Sequence, residues 1–269
     1  MYQHIHHQTN QPILDVSHLT VRYNGRLALE DITFHLHEGE RIAIVGPNGA
    51  GKSTLIKAIA GVLQPQSGEV NIFGSRPRGH VCIGYIPQRS QVDWNFPVSV
   101  ADVVMMGRSA KLGPFNWPHK KDWEVVHHAL ETVELSNLAK RQISQLSGGQ
   151  QQRMFIARAL AQEAELMLMD EPLTGLDTPS QEGILTLLDR LKREKVTVMV
   201  ATHDLDQAAN HFDRIMLLNH QIVAFGEPSE VLHTDNLLQA YGGRLKPVDG
   251  LNILSTDDCC DEGSDDHIH

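Results

Sequence analysis

Gly46-Pro47-Asn48-Gly49-Ala50-Gly51-Lys52-Ser53-Thr54 is the stretch that decides the fold class of this 269-residue chain. It matches the glycine-rich phosphate-binding loop, or P-loop, which connects a strand to a helix. The short apolar run Arg41–Val45 precedes it, and apolar residues at helical spacing predict a helix over 52–63. Glycines let successive backbone N–H groups converge on phosphate oxygens, and the helix start adds its positive end. The stretch therefore predicts a nucleotide-phosphate site in which Lys52 reaches the β- and γ-phosphates and Ser53 ligates Mg²⁺.

A carboxylate pair follows another apolar run and completes the predicted phosphate site. Residues 166–169 are four apolar residues, and Asp170 and Glu171 come directly after them. A P-loop needs a second Mg²⁺ partner, besides Ser53, at the end of a neighbouring strand. We therefore expect Asp170 to act on the Mg²⁺ side through coordinated water. Glu171 would project toward the γ-phosphate and polarise the attacking water.

Strand and helix patterns alternate around these motifs. The apolar runs 166–169 and 196–201 are typical of buried parallel strands, and 179–192 between them predicts a helix. This order predicts a parallel sheet with crossover helices, which is an α/β P-loop NTPase core. The stretch before residue 41 alternates and predicts an antiparallel β layer.

The regions after the P-loop helix differ from this core pattern. Residues 95–147 contain helical segments, including 122–134, and no convincing strand, which predicts an inserted helical subdomain. After residue 213, short strands (215–218 and 221–225) and short helices close the domain.

Composition and charge exclude several classes. Hydrophobic residues make up 41% and charged residues 21%, as in ordinary globular proteins. Three Cys exclude a disulfide framework, and a net charge of −10 argues against a nucleic-acid partner. No apolar run approaches the roughly 18 residues of a membrane helix, and no secretory signal is visible.

The two ends differ from the body in their residues. We expect 1–12, which contains His4, His6 and His7, to be a disordered segment, and 244–269 to be a C-terminal extension. The acidic stretch 257–269 contains Cys259, Cys260, His267 and His269 and no Lys or Arg. It could sense a metal ion, but acidic solvated tails are common, and that interpretation is favoured.

A second glycine turn narrows the class. Leu146-Ser147-Gly148-Gly149-Gln150 precedes a predicted helix over 151–162 and forms a second anion site at a helix start. With two such turns in one chain, residues 13–243 resemble the ATP-binding-cassette (ABC) ATPases. Further motifs fit the resemblance: Tyr23 before the P-loop, Gln88 in Tyr85-Ile86-Pro87-Gln88, Asp177 in Thr174-Gly175-Leu176-Asp177, and His203 after the next strand.

The resemblance implies a role for each of these residues. Tyr23 would stack on adenine, Gln88 would sense Mg²⁺ and the membrane partner, and Asp177 would lie in the loop that meets the other subunit. Lys52, Glu171 and His203 would be catalytic, and Ser53, Gln88 and Asp170 would surround the metal. The implied nucleotide contacts are Tyr23, Gly46, Pro47, Asn48, Gly49, Ala50, Gly51, Lys52, Ser53, Thr54, Gln88, Ser147, Gly148, Gly149, Gln150 and Asp177.

The family also implies partners and a location. Two subunits would form a head-to-tail homodimer with ATP between one P-loop and the partner's 147–150 turn. Membrane-spanning permease subunits would hold the dimer at the cytoplasmic face of the membrane, and an extracytoplasmic metal-binding protein would supply the ion. Residues 92–100 and 105–108 resemble the segments of manganese, zinc and iron importers that receive the permease. There Trp94 and Phe96 are either an apolar docking spot or core residues.

Other functions remain as alternatives. Importers of siderophores, haem or cobalamin have similar segments. A soluble ABC ATPase without a transport role would carry two cassettes or a long coiled coil, and neither fits in 269 residues. A metal-binding regulatory protein would leave the nucleotide motifs unexplained. The sequence does not identify the ion.

Overall fold

The computed structural model describes residues 12–23, 25–76, 83–112 and 116–242, together with the backbone of two short strands at 245–247 and 254–256. The predicted histidine-containing segment up to residue 11 and the Cys/His stretch 257–269 lie outside the described residues.

A six-stranded sheet forms the centre of the molecule. Its order is β5-β6-β7-β3-β8-β9, and its neighbours are parallel except for β8 and β9, which are antiparallel. The strands are β3 (Arg41–Val45), β5 (Ile83–Ile86), β6 (Leu166–Asp170), β7 (Thr197–Ala201), β8 (Arg214–Asn219) and β9 (Gln221–Gly226). Every residue of β6 and β7 is buried, as strands covered on both faces require. The predicted parallel sheet is confirmed, and the carboxyl ends of β3, β6 and β7 share one edge.

An antiparallel layer covers one side of this sheet. It consists of β1 (Leu14–Tyr23), β2 (Arg26–Leu36) and β4 (Ser67–Ile72) in the order β2-β1-β4. Its inner side chains form one core with Ile42 and Ile44 of β3 and with Leu55 of the helix after the P-loop. The predicted antiparallel layer is confirmed, and β4 is an addition that the sequence did not predict.

The helices agree with the predicted segments but differ at their ends. They are α1 (Lys52–Ile59), α2 (Val100–Met106), α3 (Ser109–Leu112), α4 (Lys120–Thr132), α5 (Gly148–Ala161), α6 (Thr178–Arg193), α7 (Leu205–His211), α8 (Pro228–Val231) and α9 (Thr234–Tyr241). The backbone beyond α9 forms the antiparallel pair β10 (Leu245–Pro247) and β11 (Leu254–Thr256).

Capping explains the shifted boundaries. α1 ends at Ile59, four residues before the predicted end, because Gly61 takes a left-handed φ of 70° that a helix does not continue through. α5 begins three residues early, since the Ser147 side chain accepts a hydrogen bond from the backbone N–H of Gln150. α4 begins two residues early at the turn where Asp122 accepts a hydrogen bond from the backbone N–H of His119.

The region 95–147 contributes α2, α3 and α4, and its described residues contain no strand. α2 and α4 pack against each other and against α5, in one core with the parallel sheet. Arg108 fixes the end of α2: its guanidinium is buried and donates to Asp122, Glu163 and the carbonyl of Ala161. Within the part of the chain that the structure describes, no helix is long and apolar enough to cross a bilayer.

Candidate functional site

A cavity of about 740 Å³ opens where the carboxyl edge of the parallel sheet meets the antiparallel layer. The residues around it come from the P-loop, the first two strands and the ends of β6 and β8. They are Tyr23, Arg26, Leu27, Ala28, Asn48, Gly49, Ala50, Gly51, Lys52, Ser53, Thr54, Glu171 and His220. Tyr23 is 44% exposed, so its ring is accessible to a ligand.

Two glycines hold the P-loop against neighbouring backbone. Gly46 has φ 154°, and a Cβ there would lie 2.0 Å from the carbonyl oxygen of Leu218 at the end of β8. Gly51 has φ 100°, and its Cβ would lie 2.6 Å from the carbonyl oxygen of Ala28 on β2. Any larger residue would push the loop away from these strands, so both positions require glycine. The loop therefore passes between β8 and β2 and leads into the start of α1.

The Lys52 amine lies folded over the loop. Its Nζ donates to the carbonyl oxygens of Gly46 (2.6 Å) and Pro47 (3.1 Å), and the residue is 6% exposed. Burial lowers the pKa of Lys52, and the negative charges of Glu171 and Asp170 oppose this shift. The amine is therefore held at the loop by carbonyl groups that a phosphate could replace.

Ser53 and Asp170 form a paired oxygen site beside the loop. The Ser53 hydroxyl donates to Oδ1 of Asp170 at 2.8 Å. Asp170 is fully buried, and its Oδ2 has no hydrogen-bond partner among the described residues. Burial raises the pKa of Asp170, and the Ser53 hydrogen bond only partly offsets it. A hydroxyl and an unpartnered carboxylate oxygen are ligands that suit Mg²⁺, so these residues fit the cation that the fold implies.

Glu171 occupies the adjacent position at the cavity. Its φ is 48°, a strained value for a non-glycine residue, and its N–H donates to the carbonyl oxygen of Ala201 at 3.0 Å. Gln88 Nε2 and Thr174 Oγ1 both donate to its Oε2 at 3.3 Å. These three bonds hold the carboxylate between β6 and the segment that follows β5.

Several predicted residues are not brought to this cavity within one chain. His203 follows β7 and is exposed, and it does not line the cavity. Ser147 and Gln150 form the capping pair of α5, and Asp177 is the N-cap of α6. The 147–150 turn and Asp177 therefore lie apart from the P-loop cavity of their own chain.

The structure separates the two aromatic residues of the segment after Gln88. Trp94 packs edge-to-face on Phe155 of α5, with ring centroids 5.7 Å apart, and its Nε1 donates to the carbonyl oxygen of Arg89. Phe96 is 55% exposed. Trp94 is thus placed like a core residue, whereas Phe96 is accessible, as an apolar docking spot would be.

The sequence analysis missed four cavity residues, namely Arg26, Leu27, Ala28 and His220. Arg26 is paired with Tyr23 at the turn between β1 and β2. His220 lies in the turn between β8 and β9 at φ 59°. The only sequence signal for His220 was its place between two short predicted strands. Such a position predicts a turn, and it does not predict a contact with the P-loop.

The comparisons with known proteins agree with this geometry. The sequence profile of the ABC transporter family matches residues 29–174. The chain is 48% identical over 233 residues to the manganese transport system ATP-binding protein MntB of Bacillus subtilis (strain 168), covering 86% of this chain and 93% of that protein. It is 46% identical over 235 residues to the zinc transport system ATP-binding protein TroB of Treponema pallidum (strain Nichols), covering 86% and 88%.

A solved structure shows the same fold. The crystal structure of an ATP-binding cassette of an ABC transporter, in its ADP conformation, superposes with a TM-score of 0.76 at 26% identity, covering 87% of this chain and all of that one. The site geometry and the profile match indicate the same family: the cavity contains the P-loop with Lys52, and the Asp170–Glu171 pair follows β6. The chain belongs to the ABC transporter family, and it is an ATPase of the ATP-binding-cassette type.

Proposed function

We propose that this ATPase drives the import of a transition-metal ion, namely manganese, zinc or iron. Relatives at 48% and 46% identity are named as manganese and zinc transport subunits, and each alignment covers most of both chains. The observation that carries the ATPase part is the cavity in which the P-loop, Lys52 and Glu171 meet. In this proposal residues 13–243 form the ATPase domain, with 95–147 as its helical subdomain.

The P-loop binds the phosphates in this proposal. The backbone N–H groups of 46–54 surround the phosphate oxygens, and Lys52 exchanges its two carbonyl partners for the β- and γ-phosphates. Tyr23 stacks on the adenine ring. Ser53, Asp170 and Gln88 would hold Mg²⁺, which neutralises charge on the phosphates. The unpartnered Oδ2 of Asp170 supports this assignment.

Glu171 is the proposed general base. It lines the cavity, and Gln88 and Thr174 fix its Oε2 so that the carboxylate has a defined position near the phosphates. From there it would orient the attacking water and accept its proton, a role worth about 10²–10⁴ in rate. His203 would contact the γ-phosphate after the site closes.

A head-to-tail homodimer supplies the second phosphate turn. The 147–150 turn lies outside the cavity of its own chain, which supports a dimer in which the partner brings an equivalent turn to the nucleotide. The N-terminus of α5 would then face the γ-phosphate with its N–H groups and its positive dipole end. Asp177, exposed at the start of α6, would meet the partner across the same interface.

Permease subunits would bind near the exposed Phe96 and place the dimer at the cytoplasmic face of the membrane. An extracytoplasmic metal-binding protein would deliver the ion to them. Trp94 anchors this segment on α5 through Phe155, so the docking surface is attached directly to the helix that follows the 147–150 turn.

Uptake in a deletion strain tests the proposal. Cells would carry the wild-type chain, Lys52→Ala, or the control Lys120→Ala, whose side chain is 93% exposed. We expect Lys52→Ala to abolish both ATP hydrolysis by the purified chain and uptake of one radiolabelled ion among Mn²⁺, Zn²⁺ and Fe²⁺, with the control unaffected. If the chain is not needed for uptake of Mn²⁺, Zn²⁺ or Fe²⁺, the proposal that it drives metal import is wrong. Hydrolysis retained by Lys52→Ala would contradict the phosphate site.

A further inference from the structure

His220 connects the P-loop to the antiparallel layer. Its backbone N–H donates to the carbonyl oxygen of Ala50 at 2.9 Å, and its own carbonyl accepts from the N–H of Glu30 at 2.8 Å. Its ring Nδ1 lies 3.1 Å from the carbonyl oxygen of Ala28. One residue thus bonds to the P-loop and to two places on β2, and it also lines the nucleotide cavity.

The Ala28 contact fixes the tautomer of the neutral ring. A carbonyl oxygen only accepts, so Nδ1 must carry the hydrogen in this bond. In the neutral imidazole Nε2 is then an acceptor. Nε2 makes no hydrogen bond with the part of the chain that the structure describes. His220 lines the cavity, and its Nε2 is an acceptor that the phosphate-binding groups do not use.

The position of the ring indicates which part of the nucleotide it meets. Arg26 and Ala28 lie two residues apart on β2, and both line the cavity. Arg26 pairs with Tyr23, the proposed adenine-stacking residue. The His220 ring is bonded to this same strand, whereas the phosphates belong at the N–H groups of the loop. The nucleoside part of ATP carries hydroxyl and amino groups, which are the donors that an imidazole acceptor requires.

We propose that His220 positions the nucleoside part of bound ATP: Nδ1–H holds β2 at Ala28, and Nε2 accepts a hydrogen bond from a ribose hydroxyl or the adenine amino group. This inference rests on the proposed nucleotide site. It adds a contact that the known motifs do not assign. The side chain acts in binding and not in bond cleavage, so its loss raises KM for ATP and leaves kcat nearly unchanged.

Binding of Mg²⁺-ATP and of Mg²⁺-tripolyphosphate to the full chain tests this role by calorimetry. Tripolyphosphate carries the phosphates without the nucleoside. We expect His220→Ala to weaken ATP binding about five- to tenfold, equivalent to about 1–1.4 kcal/mol, and to leave tripolyphosphate binding unchanged. His220→Gln, whose side-chain amide can reach the place of Nε2, should recover most of the ATP affinity.

Backbone strain needs its own control because φ at His220 is 59°. His220→Gly removes the ring and relieves the strain, so it should bind ATP as weakly as His220→Ala while melting at a higher temperature than that variant. Wild-type ATP affinity in both variants would overturn the proposal, as would an equal loss for ATP and tripolyphosphate. Lys52→Ala should lose both ligands. If Lys52→Ala still binds ATP and tripolyphosphate, the proposed nucleotide site is wrong, and this result is distinct from a failure of the His220 proposal.

Discussion

The Asp170 carboxylate should lower the unfolding free energy of the nucleotide-free protein. Asp170→Asn should therefore stabilise that state. The carboxylate is fully buried, one oxygen has no partner among the described residues, and burial raises its pKa. Leaving a buried polar group unsatisfied costs about 1–3 kcal/mol, and more when the group is charged. Asn keeps the Ser53 hydrogen bond at Oδ1 and removes the charge, although its amide N–H groups still have no acceptor at the place of Oδ2. The lost attraction to Lys52 offsets part of the gain, so we expect a net increase of about 1–2 kcal/mol in unfolding free energy.

The gain should depend on pH in a defined direction. Below the ordinary value of 3.8 the carboxyl is protonated in both states, and the wild type carries no penalty. As pH rises from there toward the raised folded pKa, the unfolded chain ionises first, which favours unfolding. The advantage of Asp170→Asn should thus grow as pH rises from 3.8 to the raised folded pKa, and it should then stay constant.

Asp213 provides a matched control of opposite sign. Burial opposes its ionisation, but hydrogen bonds from Lys192 and Arg41 hold the pKa of Asp213 below its ordinary value. Asp213→Asn removes these charged contacts and should lower the unfolding free energy at neutral pH by about 1 kcal/mol. That stability is present above pH 3.8 and is lost as pH falls through the folded pKa.

Thermal melts with EDTA and without nucleotide measure these effects. We expect Asp170→Asn to melt roughly 2–8 °C above wild type at pH 7. Addition of Mg²⁺ and ATP at about 100 times Kd should stabilise the wild type by about 2.7 kcal/mol and the variant by much less, so that their order reverses. A lower melting temperature for Asp170→Asn in EDTA would refute the reasoning. A gap that does not shrink as pH is lowered to 3.8 would do the same.

Two further substitutions test the geometry of the site. Glu171→Gln should lower ATP hydrolysis about 10²–10⁴-fold while keeping ATP binding, and it should accumulate as a closed dimer by light scattering; wild-type turnover would mean that another group is the base. Gly46→Ala should destabilise the fold by about 2–4 kcal/mol, because its Cβ would meet the Leu218 carbonyl at 2.0 Å. Gly25→Ala, with φ 80° and nothing within 4 Å, should cost only about 1 kcal/mol in chemical denaturation, and equal losses would contradict the clash.

The sequence predicted the elements that are determined by local pattern. Continuous apolar runs identified β6 and β7, and the P-loop located the junction between β3 and α1. β4 was missed because three of its six residues are exposed and its pairing partner β1 lies far back in the chain. The apolar spacing that extended α1 to residue 63 continues past the helix, since Leu63 packs against the core from a turn.

Contacts between residues far apart in the chain could not be predicted from the sequence, for a different reason. The Nδ1 bond of His220 joins residues 192 apart, and neither partner has a distinctive sequence context. A histidine between two short strands gives no sign that the turn reaches the P-loop. His203 had a strand-end position that a motif could identify, yet within one chain the structure brings His220 and not His203 to the cavity.

The segment from Gln88 to Trp94 connects the carboxylate of Glu171, the proposed general base, to α5. Gln88 donates to Glu171 at 3.3 Å, and Arg89 Nε donates to the buried Gln151 of α5 at 2.7 Å. Trp94 then packs on the same helix. The bond to Glu171 is the longest of these hydrogen bonds, so it is the weakest attachment of the segment. A displacement of the segment together with α5 would therefore separate Gln88 from Glu171 first, so the position of the helix would affect the hydrogen bonding of the proposed general base.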